Sequence, residues 1–296
     1  MKRPNFFILG APKCGTTSFY FWLKTHPNVY LSPLKEPDFF NTDDRTYKVS
    51  SLAEYEALFK EATDAHRVVG EGSVWYLFSR EAVPRILQYS PNARFLVLIR
   101  NPVEMAPSLH WQELYSGNED VTDFWTAWQL QDKRAQGERI PETCVEPKRL
   151  QYGTACKLGE QLERLLDQVD RDHVLVLVLD DIRKDPRKEY LQALEFLNLP
   201  DDGRQEFTVY NPAKTFRSQT LRKGIRKAAE KAMWLKQTLH LPWGFGLFGR
   251  LKQANTVIRP RPPLEDWVRQ ELIAYFKEDV LRLGRLLERD FSNWLI

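Results

Sequence analysis

The stretch FFILGAPKCGTTSFY, residues 6–20, decides the fold of this protein. Its apolar run Phe6–Leu9 predicts a short buried strand, and Thr16–Thr25 predicts a helix. Between them, Gly10 and Gly15 have the spacing of the phosphate-binding loop G-x-x-x-x-G-K-[ST]. In such a loop, backbone N–H groups converge on an anion at a helix N-terminus. The stretch therefore predicts a strand–loop–helix unit that binds a phosphate-like group.

The lysine of this loop is displaced. Lys13 precedes the second glycine by two residues, and Thr16 stands where a nucleotide triphosphatase has the lysine that reaches the β- and γ-phosphates. Lys13 instead projects from the middle of the loop, where it can reach a group that leaves the terminal phosphate. The segment VLVLVLDD, at Val174–Asp181, favours a triphosphatase because it is similar to a strand that ends in a magnesium-binding Asp. The missing lysine argues against that interpretation.

Three further apolar runs predict buried parallel strands, at Arg67–Gly70, Arg94–Ile99 and His173–Leu179. Helical patterns lie between and after the strands, over Glu81–Gln88, Pro107–Tyr115, Thr122–Ala135, Leu150–Val169, Pro186–Leu197 and Leu264–Glu288. This alternation predicts an α/β fold of three layers, in which a central parallel sheet is flanked by helices in a P-loop-like arrangement. Ligands of such sheets bind at the carboxyl ends of the strands.

Composition sets broad limits on the class of protein. The 296 residues suit one large α/β domain over 1–296, and a net charge of +3 gives no argument for nucleic acid as a partner. Three cysteines without a CxxC pair predict neither a disulfide framework nor a metal site. The chain shows no signal-peptide pattern and no apolar run of about 18 residues, which predicts a cytoplasmic protein without a transmembrane segment.

The segment 214–262 differs in composition from the rest of the chain. It is rich in Pro, Gly and Trp, and from Lys214 to Arg261 it carries twelve Lys or Arg residues against one acid, Glu230. No strand is predicted within it. A basic segment of this kind can face an anionic ligand, an acidic acceptor or a membrane surface, or it can be a solvated helix. We interpret it as a cap or lid of the single domain.

The loop and a second segment together resemble the PAPS-dependent sulfotransferases, and most closely the bacterial and glycosaminoglycan-type branch. PAPS, 3′-phosphoadenosine 5′-phosphosulfate, is the sulfuryl donor of that family. GAPKCGTTSFYFWLKTHP resembles the family's 5′-phosphosulfate loop, with its lysine at Lys13. FLVLIRNPVEMAPSLHW resembles its 3′-phosphate motif, with Arg100 and Ser108 at the binding positions. Further similar segments are LSPLKEPDFF, GEGSVWYL, LDDIRKDPRKEYLQALEFLNLP and ERDFSNWL.

The resemblance implies a role for each of these residues. Lys13 would neutralise the bridging oxygen as adenosine 3′,5′-bisphosphate leaves in an in-line transfer, and no metal is required because the sulfate carries little net charge. Glu36 is the implied base, with Pro37, Phe39 and Phe40 expected to raise its pKa; a surface ion pair with Lys35 is the alternative. The residues implied to bind the donor are Lys13, Cys14, Gly15, Thr16, Thr17, Ser18, Arg100, Ser108, Arg222, Lys223 and Gly224.

The sequence departs from the family pattern in one place that bears on the acceptor. Gly72 stands where the glycosaminoglycan branch has a second catalytic lysine, which puts a polysaccharide acceptor in doubt. The segment LRKGIRK, at Leu221–Lys227, resembles a 3′-phosphate grip but also fits a basic helix. Glu71 either orients a cationic acceptor or pairs with Lys or Arg. His110 is interpreted as an ordinary, partly buried side chain and not as a base.

Three functions stay open at this stage. The first is a bacterial sulfotransferase that acts on a hydroxyl or amine of a small-molecule or saccharide acceptor. The second is a P-loop kinase that uses ATP and Mg²⁺, and the third is a non-catalytic anion-binding protein. Lys13 and the Arg100/Ser108 pair favour the first over the second, and Glu36 together with Lys13 favours an enzyme. The oligomeric state is open.

Overall fold

Apolar strands form the centre of the molecule. The computed structural model describes residues 2–210 and 263–296, and the backbone of 214–216 and 256–258. The strands of its main sheet are β1 (Phe6–Gly10), β2 (Val29–Leu31), β3 (Val68–Gly72), β4 (Arg94–Ile99) and β5 (Val174–Val178). They are all parallel, in the order β2-β3-β1-β4-β5. The loops after β3, β1 and β4 therefore open at one edge of the sheet, where ligands of such sheets bind.

Helices connect these strands. They are α1 (Thr16–Lys24), α2 (Leu52–Ala57), α3 (Ala82–Tyr89), α4 (Pro102–Ser116), α5 (Phe124–Gln129), α6 (Gln131–Ala135), α7 (Tyr152–Ala155), α8 (Leu158–Leu166), α9 (Leu179–Lys184), α10 (Pro186–Phe196) and α11 (Asp266–Leu287). Short 3-10 turns lie at Pro147–Leu150, Arg171–His173 and Ser292–Leu295. The predicted α/β class, with a parallel sheet flanked by helices, is confirmed.

Several predicted boundaries were wrong. Helix α4 begins at Pro102 and not at Pro107, because the Asn101 side chain caps it by accepting a hydrogen bond from the Val103 N–H at 2.9 Å. Pro107 is accommodated inside the helix. The three-residue strand β2 was missed because a run this short gives no periodic signal. The patterns over 122–135 and 150–169 form shorter helices, not one each.

The chain divides into two compact units. One comprises Met1–Tyr210 with Leu264–Ile296, and the other comprises Asn211–Pro263. In the second unit, Lys214–Phe216 (β6) and Thr256–Ile258 (β7) pair as antiparallel strands. The expectation that 214–262 contains no strand was therefore wrong, since two distant short runs pair across the segment. The single domain over 1–296 and the cap role of 214–262 stay predictions.

The C-terminal segment packs against helices that connect or follow the strands of the main sheet. The Asp279 carboxylate of α11 accepts hydrogen bonds from the N–H groups of Gly159 and Glu160, at the start of α8, at 2.8 and 2.9 Å. Farther along, the Trp294 indole N–H donates to Asp180 Oδ2 at 3.2 Å. Within the part of the chain that the structure describes, no helix is long and apolar enough to cross a bilayer.

Candidate active site

The loop between β1 and α1 has the geometry of an anion cradle. Gly15 stands at the N-cap of α1 with φ +86°, a left-handed conformation that favours glycine. A Cβ atom on Gly15 would also lie 2.9 Å from Leu179 Cδ1. The Cys14 N–H donates to the Ala11 carbonyl, and burial raises the pKa of the Cys14 thiol to about 12. The N–H groups of the first turn of α1 are those that a helix leaves without intrahelical partners, so they can hold an anion.

Three further residues that are predicted to bind the donor lie at the beginning of α1. The side chains of Thr16 and Ser18 are buried, and Thr17 is half-buried. The Ser18 hydroxyl accepts a hydrogen bond from the Tyr210 N–H at 2.9 Å. Ser18 therefore connects the first turn of α1 to the backbone of Tyr210.

Lys13 extends from the loop toward α4. It has φ +68°, and its Nζ donates a hydrogen bond to Gln112 Oε1 at 3.1 Å. Gln112 lies four residues after Ser108, so the two side chains lie on the same face of α4. The Lys13 carbonyl accepts a bond from Arg100 Nη1 at 3.4 Å. The loop lysine and the two residues of the predicted 3′-phosphate motif are thus brought together in one site.

Arg100 and Ser108 each present a buried donor. The Arg100 side chain is 11% exposed, and its Nη2 donates to Glu104 Oε2 at 2.7 Å. Its Nε is buried and has no hydrogen-bond partner among the described residues, and the same holds for the fully buried Ser108 Oγ. Buried polar atoms are nearly always paired in folded proteins. These two atoms therefore fit an anionic ligand that carries its own acceptor oxygens.

Glu36 lies in the loop after β2 and is surrounded by ammonium groups. Its carboxylate forms an ion pair with Lys35 Nζ, and Lys48 Nζ lies 3.8 Å from its Oε2. Burial alone would raise the pKa of Glu36, but the two lysines outweigh burial, so the pKa lies below its ordinary value. The expected rise in this pKa was wrong. The ion pair with Lys35, which the sequence offered as the alternative to a base, is present.

Asp38, a second acid of the same loop, was not predicted as a residue of the site. Asp38 is buried two residues after Glu36, and Lys48 Nζ lies 3.6 Å from its Oδ2. Burial raises the pKa of Asp38 to about 7, against the influence of Lys48. Both Glu36 and Asp38 have left-handed backbone conformations, with φ values of +56° and +53°. Such conformations are strained for residues other than glycine and mark segments that the surrounding structure must hold.

Glu71, at the carboxyl end of β3, is fully buried and binds hydroxyl groups. Its carboxylate accepts hydrogen bonds from Ser73 Oγ at 2.7 Å, Tyr76 OH at 2.8 Å and Tyr55 OH at 3.3 Å. Burial raises the pKa of Glu71 to about 8. Among the described residues, no Lys or Arg forms an ion pair with Glu71. Of the two alternatives that the sequence left open for Glu71, pairing with Lys or Arg is therefore not seen among the described residues, and orientation of a cationic acceptor stays a prediction.

The space where a side chain at position 72 would begin is occupied. A Cβ atom on Gly72 would lie 3.0 Å from Tyr20 Cδ2 and 3.3 Å from Ile8 Cβ. The Tyr20 hydroxyl donates to the Ser32 carbonyl, which holds the ring in this place. A side chain at position 72 would therefore require the Tyr20 ring to shift by a few tenths of an ångström.

Two other predicted features lie apart from this chemistry. His110 is buried, its Nε2 lies 2.8 Å from the Val121 carbonyl oxygen, and burial lowers its pKa. Its interpretation as a packed side chain agrees with these contacts. The acids that follow β5 are engaged by the C-terminal segment, because Asp181 forms an ion pair with Arg289 and Asp180 accepts from Trp294. Arg222, Lys223 and Gly224 lie outside the described residues.

The predicted site residues did not include Gln112, Lys48 or Asp38. Gln112 could have been found, because helical periodicity from Ser108 places it on the same face. Lys48 and Asp38 could not, since their contact with the Glu36 loop depends on how that loop folds back. The Lys48 N–H, for example, donates to the Pro37 carbonyl at 3.1 Å, across eleven residues of irregular chain.

The fold and this site together define a P-loop-like α/β protein with a candidate anion site at the end of its central strand. The chain belongs to the sulfotransferase domain family, whose model matches residues 3–237. This confirms the resemblance found in the sequence motifs.

Several known proteins are similar to this chain. Human carbohydrate sulfotransferase 15 is 27% identical over 267 residues, which cover 69% of this chain and 45% of that protein. Human heparan sulfate glucosamine 3-O-sulfotransferase 6 is 36% identical over 113 residues, which cover 38% of this chain and 31% of that protein. The crystal structure of a sulfotransferase from Alicyclobacillus acidocaldarius matches with a TM-score of 0.74 and 26% identity over 99% of both chains. The chain spans less than half the length of these two human relatives.

Proposed function

We propose that this protein transfers a sulfuryl group from PAPS to a hydroxyl or amine of a small-molecule or saccharide acceptor. The observation that carries the proposal is the pair of buried donor atoms, Arg100 Nε and Ser108 Oγ, that have no partner among the described residues. They follow β4, the strand next to the one that ends in the anion cradle. A donor with two separate anionic groups, a 5′-phosphosulfate and a 3′-phosphate, matches two adjacent sites.

The donor would be held by both sites at once. The first-turn N–H groups of α1 would bind the 5′-phosphate, and Arg100 with Ser108 would bind the 3′-phosphate. In the structure, Glu104 occupies the Nη2 edge of Arg100, which leaves its buried Nε free of protein partners among the described residues. ATP has no 3′-phosphate, so this pair is the part of the site that would select PAPS.

Lys13 would stabilise the leaving group. Its position within the loop, two residues before Gly15, would put the ammonium group near the oxygen that bridges the 5′-phosphate and the sulfuryl group. A cation there compensates the negative charge that develops on the bridging oxygen during in-line transfer. The bond to Gln112 would orient the lysine in the absence of donor. No metal is part of the proposal, because the sulfuryl group itself carries little net charge.

Glu36 would accept the proton of the attacking hydroxyl or amine. Its carboxylate is ionised at neutral pH, which is the form that accepts a proton, and the charges that lower its pKa also make it a weaker base than an ordinary glutamate. Lys35 and Lys48 supply positive charge next to it. The carbohydrate acceptors in the names of the relatives support a saccharide as one acceptor class.

A thermal-shift comparison tests the donor. Adenosine 3′,5′-bisphosphate without Mg²⁺ should raise the melting temperature, whereas ATP with Mg²⁺ should raise it much less. Stabilisation by ATP with Mg²⁺ alone would instead support the kinase alternative and refute the proposal. A screen of hydroxyl- and amine-bearing acceptors with labelled PAPS would then identify the acceptor.

A further inference from the structure

The loop that carries Glu36 is held to the sheet by its backbone. The Ser32 N–H donates to the Gly70 carbonyl at 2.9 Å, and the Glu36 N–H donates to the Gly72 carbonyl at 3.2 Å. Between Glu36 and residue 40 the chain leaves this register, since Glu36 and Asp38 both have positive φ. The backbone N–H groups of residues 38–40 therefore need other acceptors.

Two hydroxyl groups supply those acceptors. Ser73 Oγ accepts from the Asp38 N–H at 3.1 Å. Tyr76 OH accepts from the Phe39 N–H at 2.9 Å and from the Phe40 N–H at 3.2 Å. Three successive N–H groups of the strained segment are thus held by two side chains that follow β3.

Glu71 directs both of these hydroxyls. Ser73 donates its proton to one carboxylate oxygen of Glu71, and Tyr76 donates to the other. Each hydroxyl is thereby oriented with its lone pairs toward the loop. A hydroxyl that donates a hydrogen bond to a carboxyl oxygen is also a stronger acceptor, because hydrogen bonds in a chain polarise one another. Glu71 is therefore the centre of a two-layer network that ends on the backbone next to Glu36.

The burial of Glu71 is unfavourable in itself. The side chain is fully buried, and the nearby Asp38 carboxylate adds to the rise that burial causes in its pKa. A buried carboxyl group without a cation is rare in a protein that needs only packing at that position. The loop provides a reason to retain it, because an apolar residue at position 71 could not orient Ser73 and Tyr76.

We propose that Glu71 is a positioning residue for the transfer reaction, which acts through Ser73 and Tyr76 to fix the backbone of residues 38–40 and thereby the Glu36 carboxylate. This inference rests on the proposed function. It assigns a role to Glu71 without contact between Glu71 and the acceptor, and it places Ser73 and Tyr76 in the same unit.

A pair of Tyr→Phe variants tests the network. Tyr76→Phe removes a hydroxyl that joins Glu71 to the loop, whereas Tyr55→Phe removes a hydroxyl that reaches Glu71 alone, at 3.3 Å. Both rings stay in place, so packing is matched. Amide hydrogen exchange of residues 38–40 should become at least about tenfold faster in Tyr76→Phe, as expected for the loss of about 1.4 kcal/mol of hydrogen bonding, and should stay within about twofold in Tyr55→Phe.

Measurements of kcat distinguish a positioning role of this network from a purely structural one. In Tyr76→Phe, Ser73→Ala and Glu71→Gln, kcat should fall about tenfold or more, with the affinity for adenosine 3′,5′-bisphosphate unchanged within about twofold. Equal exchange rates in the two Tyr→Phe variants would overturn the network. Faster exchange with unchanged kcat would overturn the positioning role. A wild-type protein that does not bind adenosine 3′,5′-bisphosphate would instead refute the proposed function, and the exchange data would still report on the network.

Discussion

Single residues of the donor site are linked through one another. The Lys13 ammonium group donates a hydrogen bond to Gln112, and the Lys13 carbonyl accepts one from Arg100. A substitution at Gln112 or Arg100 should therefore affect the loop. Arg100 is engaged by Glu104 on one edge, and Ser108 is buried without a partner among the described residues. Removal of Lys13 and removal of Ser108 should therefore have different consequences.

Lys13→Ala should abolish turnover while it preserves the fold. The loss of a cation at the leaving group is expected to lower kcat by about 100-fold or more, and the melting temperature should change little, since the Lys13 side chain is half-buried and not part of the apolar core. Lys24→Ala, in the last turn of the same α1, is the matched control and should keep full activity. Near-normal turnover of Lys13→Ala would show that another group stabilises the leaving oxygen.

Ser108→Ala should weaken donor binding without a loss of stability. Because the hydroxyl is buried without a partner among the described residues, its removal should leave the free protein as stable as before or more so. The affinity for adenosine 3′,5′-bisphosphate, measured by calorimetry, should fall about tenfold, while the weaker binding of adenosine 5′-phosphate should be unchanged. An equal loss for both nucleotides would place Ser108 away from the 3′-phosphate.

At the scale of elements, the segment after α4 is fixed by a buried ion pair. Arg134, in α6, donates to both carboxylate oxygens of Glu119 at 2.7 and 2.8 Å, and Tyr152 of α7 donates to Glu119 at 2.6 Å. The side chains of Arg134 and Glu119 are 0% exposed. Three segments that are separate in sequence thus meet at one carboxylate, close in sequence to α4, the helix that carries Ser108.

Arg134→Met should strongly destabilise the protein. It would leave the Glu119 carboxylate buried with its charge unpaired, which typically lowers the free energy of unfolding by about 3–5 kcal/mol. Urea unfolding followed by circular dichroism measures this loss. Arg183→Met is the control, because its ion pair with Asp180 is exposed and should contribute little. Similar unfolding midpoints for the two variants would contradict a structural role for the Arg134 pair.

For the whole molecule, two buried acids set a dependence of stability on pH. The pKa of Glu71 is raised from an ordinary 4.5 to about 8, and that of Asp38 from 3.8 to about 7. The folded protein therefore holds these protons more tightly than the unfolded chain. The stability that this contributes is fully present below the unfolded pKa values and is lost as the pH rises through about 7 to 8.

Glu71→Gln should remove part of this pH dependence. Glutamine stays neutral, so the melting temperature of the variant relative to that of the wild type should increase steadily between about pH 5 and pH 8. The comparison is made in buffers of equal ionic strength. Glu54→Gln serves as the control, because Glu54 lies on the surface of α2, where its titration is complete well below this range. A constant difference across the range would mean that Glu71 is not protonated in the folded protein.

The local pattern of the sequence was sufficient for the framework and for part of the site. Strand β4 was predicted with its observed bounds, and the glycine spacing predicted the loop before Thr16. The arginine after β4 and the serine on α4 were singled out by the resemblance of their segment to the sulfotransferase family. These features depend on residues that are near one another in the chain. The start of α4 was missed because Asn101 capping competes with the more obvious signal of Pro107.

The amino-acid sequence by itself determined the α/β class, the strand–loop–helix unit at its start and the membership in the sulfotransferase domain family. Tertiary structure decided how burial and charge balance at the candidate base, and how that base is supported. Lys35, the neighbour of Glu36 in sequence, lowers its pKa most, and Lys48 adds to this across twelve residues, although the apolar neighbours in sequence indicated a rise. Glu71 gains its raised pKa and its hydroxyl partners from burial at the end of β3. A pKa depends on the charges and solvent around a group in space, and spacing along the chain does not contain that information.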